Sequence, residues 1–254
     1  MTDAVAQTPF YLILCGVIWA IALGFAVGNY ACSLVHRLPR GRLILDKKPY
    51  CGHCGALLQV KDLFPVFSAL LLKHRCRYCG TPFPVSHTWT ELLVGLLFVL
   101  GYLQLGFSDH YILVITIGVF LITLAAIHAN EGMVMGRVLL CVMVSGAMLR
   151  ILNDHTIYNF FQGGFLALIA GVVVWHNQIE PKGHIYKLPK HLELLVVGGI
   201  CVGALQLPVF FALYLLLFAL SVLLGKLRGK PIPYTVPFGL AVTLILLYPN
   251  MMHL

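Results

Sequence analysis

Residues 51–55 read Cys-Gly-His-Cys-Gly, and residues 76–80 read Cys-Arg-Tyr-Cys-Gly. Each stretch holds a CxxC pair, and twenty-one residues separate Cys54 from Cys76. Two such pairs at this separation are typical of a structural zinc site with four thiolate ligands. The glycine after each pair lets the backbone turn back toward the sulfur atoms. Two disulfide bonds are the alternative. We predict a zinc ion bound by Cys51, Cys54, Cys76 and Cys79.

The chain around this cysteine-rich stretch is strongly apolar. Of its 254 residues, 60% are hydrophobic and 10% are charged, with a mean hydropathy of +0.92. Soluble domains carry about 25% charged residues, and a helix that spans a bilayer needs about 20 apolar residues. Apolar runs predict eight transmembrane helices, at residues 10–35, 89–108, 110–128, 133–152, 157–177, 192–206, 207–225 and 234–252. The predicted fold class is an all-α polytopic membrane protein with a small zinc-binding insert between the first two helices.

The basic residues predict how these helices are oriented. The sequence holds 17 Lys and Arg residues against 9 Asp and Glu residues, a net charge of +8. If the loop at residues 36–88 is cytoplasmic and the helices alternate, sixteen of the seventeen basic residues lie on the cytoplasmic side, and only Arg150 does not. This asymmetry follows the positive-inside rule, so the charge anchors membrane helices and does not indicate nucleic-acid binding. A reducing cytoplasm also favours zinc over disulfides.

Three blocks follow from this pattern. Residues 1–35 are predicted to form the first transmembrane helix, residues 36–88 the cytoplasmic zinc-binding insert with its four cysteine ligands, and residues 89–254 a seven-helix membrane bundle. An insert of about 50 residues is too small to bury a large core, so a metal ion is a physically sensible source of its stability.

Several motifs resemble those of the type IV prepilin leader peptidase/N-methyltransferases, which are bifunctional bacterial membrane enzymes. The run from Gly28 to Pro39 is similar to that family's Gly-Ser-Phe-x-Asn-Val-x-x-x-Arg-x-Pro, and Asp62-Leu-Phe-Pro-Val-Phe-Ser68 is similar to its Asp-x-Ile-Pro-x-x-Ser. Further matches are both CxxC pairs, Glu91 and Val236-Pro-Phe-Gly239. The resemblance implies a multi-pass protein of the bacterial inner membrane, with prepilins, pseudopilins or pilus assembly proteins as partners and membrane lipid around it.

The resemblance also implies a peptidase site made of two membrane aspartates. One lies in an Ile-Asp motif that ends the third span, and the other in a Gly-x-Gly-Asp-x-Lys-Leu motif that opens the sixth. Two close carboxyl groups share a proton, so one can act as base while the other acts as acid. In this chain His128 and His191 occupy the two aspartate positions, and Glu193 occupies the lysine position. An alternative alignment of the second motif places His184 there, which is also a histidine.

The motif of the first span departs from the family as well. Asn29 and Cys32 stand where the family has Ser and Asn. S-adenosylmethionine is therefore expected as a cofactor only if the methyltransferase activity survives.

Three hypotheses follow from these departures. The favoured one is a peptidase-deficient pseudoenzyme that binds prepilins or assembly components of a type IV pilus or type II secretion system. The second is an active enzyme, either a methyltransferase alone or a peptidase that uses Glu131 and Glu193. A shift of two residues turns a side chain by about 200° around a helix, which argues against a simple exchange of positions. The third is a new metal site formed by His128, His191 and a nearby glutamate.

Overall fold

The computed structural model describes residues 9–41, 54–56, 75–81, 85–154, 158–176 and 190–248. Within these ranges the main elements are eight α-helices, which confirms the predicted all-α class. They are α1 (Phe10–Arg37), α2 (Val85–Leu105), α3 (Asp109–Glu131), α4 (Gly136–Asp154), α5 (Tyr158–His176), α6 (Lys190–Val202), α7 (Leu207–Arg228) and α8 (Thr235–Leu247). The chain divides into two compact units, Met1–Gly106 and Phe107–Leu254. The division into three blocks at residues 35 and 88 stays a prediction.

Five of these helices are long and apolar enough to cross a bilayer. Their spans are Phe10–Arg40, Thr88–Leu105, Asp109–Glu131, Gly136–Asn153 and Leu207–Arg228. Helices α5, α6 and α8 contain shorter apolar segments. At 1.5 Å per residue, the 13 residues of α6 and of α8 extend about 20 Å, against a hydrocarbon core of about 30 Å. Each of the eight predicted segments therefore contains a helix, but the helices are unequal in length, and the segments 89–108, 133–152, 192–206 and 234–252 also include non-helical residues.

In the first unit, a row of small residues on α1 packs against α2. Its members recur every four residues and all are buried: Gly16, Ala20, Gly24, Gly28 and Cys32. A Cβ atom built on Gly24 would lie 2.9 Å from the Cα atom of Gly95, and one built on Gly28 would lie 3.1 Å from the Cα atom of Glu91. Lipid tails are as apolar as the helix side chains, so the hydrophobic effect does not drive helices together inside a membrane. Close van der Waals packing of small residues drives their association instead.

We expect Gly24→Leu to weaken the pairing of α1 with α2. The added side chain would meet the backbone of Gly95 and the Cβ atom of Phe98, neither of which can move as a flexible side-chain end can. Overpacking of this kind costs about 1–3 kcal/mol. The measurement is thermal unfolding in detergent, in which the variant should lose several degrees of Tm. Ala26→Leu is the matched control, because Ala26 is exposed on the same helix; equal losses in both variants would refute the packing argument.

In the second unit, α8 lies among three other helices. It packs against α3, α6 and α7, while α4 packs against α3 and α6. Phe238 is 1% exposed and meets the rings of Phe210 and Tyr214 edge-on, at centroid distances of 6.0 and 6.2 Å. The start of α8 is thereby fixed inside the bundle, next to the end of α3. This placement matters for the candidate site.

Helices α5 and α6 form a second close pair, again through glycine. A Cβ atom on Gly163 would lie 2.9 Å from the Cα atom of Gly203, and one on Gly164 would lie 2.9 Å from the side chain of Ile200. Gly203 has φ +79°, which ends α6 in the left-handed conformation that favours glycine. The helix therefore stops earlier than the predicted segment 192–206.

Arg150, the one basic residue predicted on the non-cytoplasmic side, has a structural partner in the second unit. Its Nε atom donates a hydrogen bond to the carbonyl oxygen of Cys201, at 2.9 Å, near the end of α6. The last carbonyl groups of a helix lack partners within the helix and carry partial negative charge. A cation at this helix end satisfies both, which accounts for the positive charge found there.

Candidate functional site

Three of the four predicted zinc ligands come together in the first unit. The sulfur atoms of Cys54, Cys76 and Cys79 lie within 4.8 Å of one another. Cys76 is buried, whereas Cys54 and Cys79 are exposed. Cys51, the fourth predicted ligand, lies outside the described residues. Among the residues that the structure describes, this trio is the one group of three or more His, Cys, Asp and Glu side chains with metal-binding geometry.

The second CxxC pair is shaped by its own backbone. The amide of Gly80 donates to the carbonyl of Cys76 at 2.9 Å, and the amide of Cys76 donates to the carbonyl of Thr81 at 2.8 Å. Gly80 has φ +70°, and Gly55, which follows the first pair, has the same value. Both glycines thus adopt the left-handed conformation that the sequence predicts at these turns.

Thr81 also tunes the chemistry of the second pair. Its hydroxyl oxygen lies 3.2 Å from the sulfur of Cys79. Hydrogen bonds from the side chain and then the backbone of Thr81 lower the pKa of the Cys79 thiol from 9.0 to about 6. The thiolate is the form of cysteine that binds metals.

The cysteine trio fits a tetrahedral zinc ion. Zn–S bonds of about 2.3 Å place the sulfur atoms of a tetrahedral site about 3.8 Å apart, so only small adjustments separate the observed trio from a loaded site. If Cys51 supplies the predicted fourth ligand, all-thiolate ligation would close the coordination sphere, which is the structural and not the catalytic type of zinc site. The trio can therefore hold a metal that stabilises the insert.

His128 occupies a well-defined place in the second unit, at the end of α3. Its Nδ1 atom lies 3.0 Å from the hydroxyl oxygen of Thr235, which opens α8 and is 1% exposed. The ring of Tyr234 meets the imidazole edge-on, with the centroids 4.5 Å apart. Helix α3 ends three residues later, because Gly132 adopts φ +67° and its amide donates to the carbonyl of His128.

Glu193 lies near this group. It is exposed in the first turn of α6. Its carboxylate interacts electrostatically with the hydroxyl of Tyr234, which precedes α8. The structure thus brings together polar groups from three helix ends, with Tyr234 close to both His128 and Glu193.

The other predicted site residues are placed less fully. Glu131 is exposed at the last position of α3. The backbone of His191 lies in the first turn of α6, but its side chain is outside the described part of the chain, and His184 lies wholly outside it. The metal site predicted from His128, His191 and a glutamate therefore stays a prediction.

A buried polar group also lies between α1 and α2. Cys32, Thr90 and Glu91 are 4%, 5% and 8% exposed. The thiol of Cys32 forms a hydrogen bond with the side chain of Thr90 and lies near the carboxyl group of Glu91. Two positions singled out in the sequence, Cys32 and Glu91, are therefore neighbours in space.

Sequence reasoning missed the contacts of His128 with Tyr234 and Thr235. Tyr234 and Thr235 immediately precede the Val236-Pro-Phe-Gly239 motif, and 107 positions separate Thr235 from His128. The only signal was this adjacency to a recognisable motif. Nothing in the local sequence says that the start of α8 faces the end of α3.

Comparison with known proteins gives the same family as the motifs. A family model described as the bacterial peptidase A24 N-terminal domain matches residues 22–105. The chain is 29% identical over 126 residues to the prepilin leader peptidase/N-methyltransferase of Myxococcus xanthus (strain DK1622), and 31% identical over 114 residues to that of Klebsiella pneumoniae. These matches cover 50% and 41% of this chain, and 38% and 50% of the relatives.

A third relative matches over most of both chains. The prepilin leader peptidase/N-methyltransferase of Bacillus subtilis (strain 168) is 22% identical over 236 residues, which cover 89% of this chain and 91% of the relative. No solved structure shows a significant match to the chain. The N-terminal family match and the relatives agree with the motifs around the cysteines: residues 22–105 match the bacterial peptidase A24 N-terminal domain, and the chain is similar to prepilin leader peptidase/N-methyltransferases.

Proposed function

We propose that this protein is a peptidase-deficient member of the prepilin leader peptidase/N-methyltransferase family that binds prepilins, or assembly components of a type IV pilus or type II secretion system, in the bacterial inner membrane. The observation that carries the proposal is the state of His128. The position aligned with a catalytic aspartate holds an imidazole whose Nδ1 atom is within hydrogen-bonding distance of the buried Thr235 hydroxyl. An aspartate pair works by sharing one proton between two carboxyl groups, which imidazole cannot reproduce.

The rest of the scaffold supports a binding role. The close packing of α1 with α2 and the cysteine trio both belong to the first unit, which holds the residues that match the family's N-terminal domain. We further propose that the cysteines hold a structural zinc ion and that the insert is cytoplasmic, as its basic residues predict. With the packed helix pair and the cysteine-rich insert retained and both aspartate positions changed, we expect the protein to bind a client without cleaving it.

The test measures whether the protein binds a prepilin and, in the same experiment, whether the bound prepilin keeps its leader. The protein in lipid nanodiscs is mixed with a full-length prepilin encoded by the same genome, and the complex is isolated and weighed by mass spectrometry. We expect a stable complex in which the prepilin keeps its leader. An unrelated single-span membrane protein is the control for non-specific association. A prepilin that binds no better than this control would overturn the proposal.

One observation favours a second candidate, a peptidase with a rearranged site. Glu193 supplies a carboxylate close to Tyr234, and Tyr234 contacts His128. The start of α6 and the end of α3 therefore bring a carboxylate and an imidazole, two groups that can exchange protons, to the same tyrosine. Glu131, the other predicted replacement, is exposed at the end of α3. In this case the unaltered protein would release the leader, and Glu193→Gln would abolish that release while His110→Gln, at the start of α3, would not.

A further inference from the structure

The turn between α7 and α8 concentrates positive charge. Lys226 and Arg228 lie in the last turn of α7, and Lys230 follows them in the turn. All three side chains are exposed. They are the only lysine and arginine residues after Lys190, and no aspartate or glutamate follows Glu193. The two helices and their turn therefore carry three positive charges within five positions and no acidic residue of their own.

The backbone holds these charges close to the helix end. Gly229 adopts φ +67°, and its amide donates to the carbonyl of Lys226, which ends α7. The turn then folds back on the helix, because a Cβ atom built on Gly225 would lie 3.2 Å from the carbonyl oxygen of Lys230. The backbone of Lys230 is thereby packed against the last turn of α7, which also carries Arg228.

An exposed apolar face of α7 leads to this basic turn. Four exposed leucines recur at intervals of four, three and four residues, which places them on one face of the helix: Leu216, Leu220, Leu223 and Leu227. The last of them is 76% exposed and lies between Lys226 and Arg228 in the sequence. The apolar face therefore ends among the positive charges.

A phospholipid with a negatively charged headgroup has the same two features in the same order. Helix α7 is long and apolar enough to cross a bilayer, so its exposed leucines meet acyl chains. Lysine and arginine side chains at the end of such a helix extend into the headgroup region. The positive-inside rule accounts for the sign of the charge at this predicted cytoplasmic end, but it does not require three adjacent cations without an acidic neighbour.

We propose that the α7–α8 turn binds an anionic phospholipid of the cytoplasmic leaflet, whose phosphate group pairs with Lys226, Arg228 and Lys230. One acyl chain lies along the exposed leucines of α7. A zwitterionic headgroup has no net charge to offset three cations, so the turn discriminates between lipids by headgroup charge. The inference does not depend on whether the protein cleaves prepilins or only binds them.

The bound lipid also lies next to the candidate site of the second unit. The turn continues from Lys230 directly into Tyr234 and Thr235, and both of these residues contact His128. A lipid that holds the turn therefore holds the segment that opens α8. The expected consequence is a second unit that is more stable when anionic lipid is bound.

Neutralising the three cations tests the proposal. The detergent-purified protein is titrated with a phosphatidylglycerol and with a phosphatidylcholine of the same acyl chains, and bound lipid is measured by native mass spectrometry. The unaltered protein should bind phosphatidylglycerol more tightly. Lys226→Gln/Arg228→Gln/Lys230→Gln should lose about tenfold or more of that affinity, because each basic residue near an anionic surface contributes about fivefold. Equal binding of the two lipids by the unaltered protein would overturn the proposal.

A matched variant separates a site from general charge attraction. Arg40→Gln/Arg77→Gln/Arg137→Gln removes the same number of charges from exposed positions that are far apart in the sequence, and it should keep the preference for phosphatidylglycerol. An equal loss in this variant would show that net charge alone sets the preference, which contradicts a site at the turn. Thermal unfolding gives a second readout, because phosphatidylglycerol should raise the Tm of the unaltered protein and of this control but not that of the turn variant.

A free anion is the remaining alternative to a lipid. Inorganic phosphate and glycerol phosphate carry the same charged group without acyl chains, so neither should displace bound phosphatidylglycerol at equal concentration. Displacement by either compound would show that the turn binds phosphate itself, and the contribution of the leucine face would be refuted.

Discussion

Replacement of Cys54 and Cys76 by serine is expected to reduce the zinc content of the purified protein from about one ion per chain to none. One ligand from each CxxC pair is removed, and the serine hydroxyl is a poor substitute for a thiolate. Zinc binding by thiolate-rich sites contributes about 10–16 kcal/mol in small zinc-finger peptides, and that energy is folding energy for a segment with little core of its own. The expected consequence is a locally unfolded insert.

Two measurements check this prediction together. Elemental analysis gives the zinc content, and limited proteolysis reports whether residues 36–88 become susceptible. The double variant Cys15→Ser/Cys141→Ser is the matched control, because it also removes two cysteines, which are exposed on helices α1 and α4. It should keep its zinc and its protease resistance. Undiminished zinc in the Cys54→Ser/Cys76→Ser variant would show that the metal binds elsewhere in the protein.

The cysteine site illustrates what a sequence predicts well. The spacing within each CxxC pair, and the glycine after it, are local requirements of a metal-binding turn, so they are visible without a structure. The structure brings Cys54 to Cys76 and Cys79, and both glycines adopt the expected positive φ. The helices were predictable for a related reason, because a membrane span needs about 20 predominantly apolar residues in sequence.

The ends of the short helices were less predictable. Hydropathy continues past Val202, but α6 ends there because Gly203 turns the chain and Arg150 satisfies the carbonyl group of Cys201. The partner of Arg150 lies 51 positions away. Such an ending depends on tertiary packing, which a window of hydropathy does not contain.

The candidate site in the second unit was predicted only in part. The alignment of motifs identified His128 and Glu193, and the structure places both near Tyr234. The alignment did not indicate that the Thr235 hydroxyl contacts His128, because this contact joins the end of α3 to the start of α8. Helical periodicity says which residues share a face of one helix, but not which other helix covers that face.

Incubation of the purified protein with a full-length prepilin is expected to leave the leader attached. Amide hydrolysis needs a base that activates water and an acid that protonates the leaving nitrogen, and removal of a general acid or base typically costs about 10²–10⁴ in rate. Both roles are assigned by the family motif to positions that hold His128 and His191. The intact mass of the prepilin is the measurement, and a family member with both aspartates serves as the positive control.

The same assay separates a chemical defect from a structural one. The double variant His128→Asp/His191→Asp restores two carboxyl groups at the predicted positions, and we expect at most partial cleavage, because Glu193 adds a negative charge where the motif has lysine. Adding Glu193→Lys should raise the cleavage further by removing that charge. If both the double and the triple variant fold and neither cleaves, the defect lies in the scaffold as well as in the catalytic groups. Efficient cleavage by the unaltered protein would overturn the pseudoenzyme proposal and direct attention to Glu193, whose carboxylate interacts with Tyr234 beside His128.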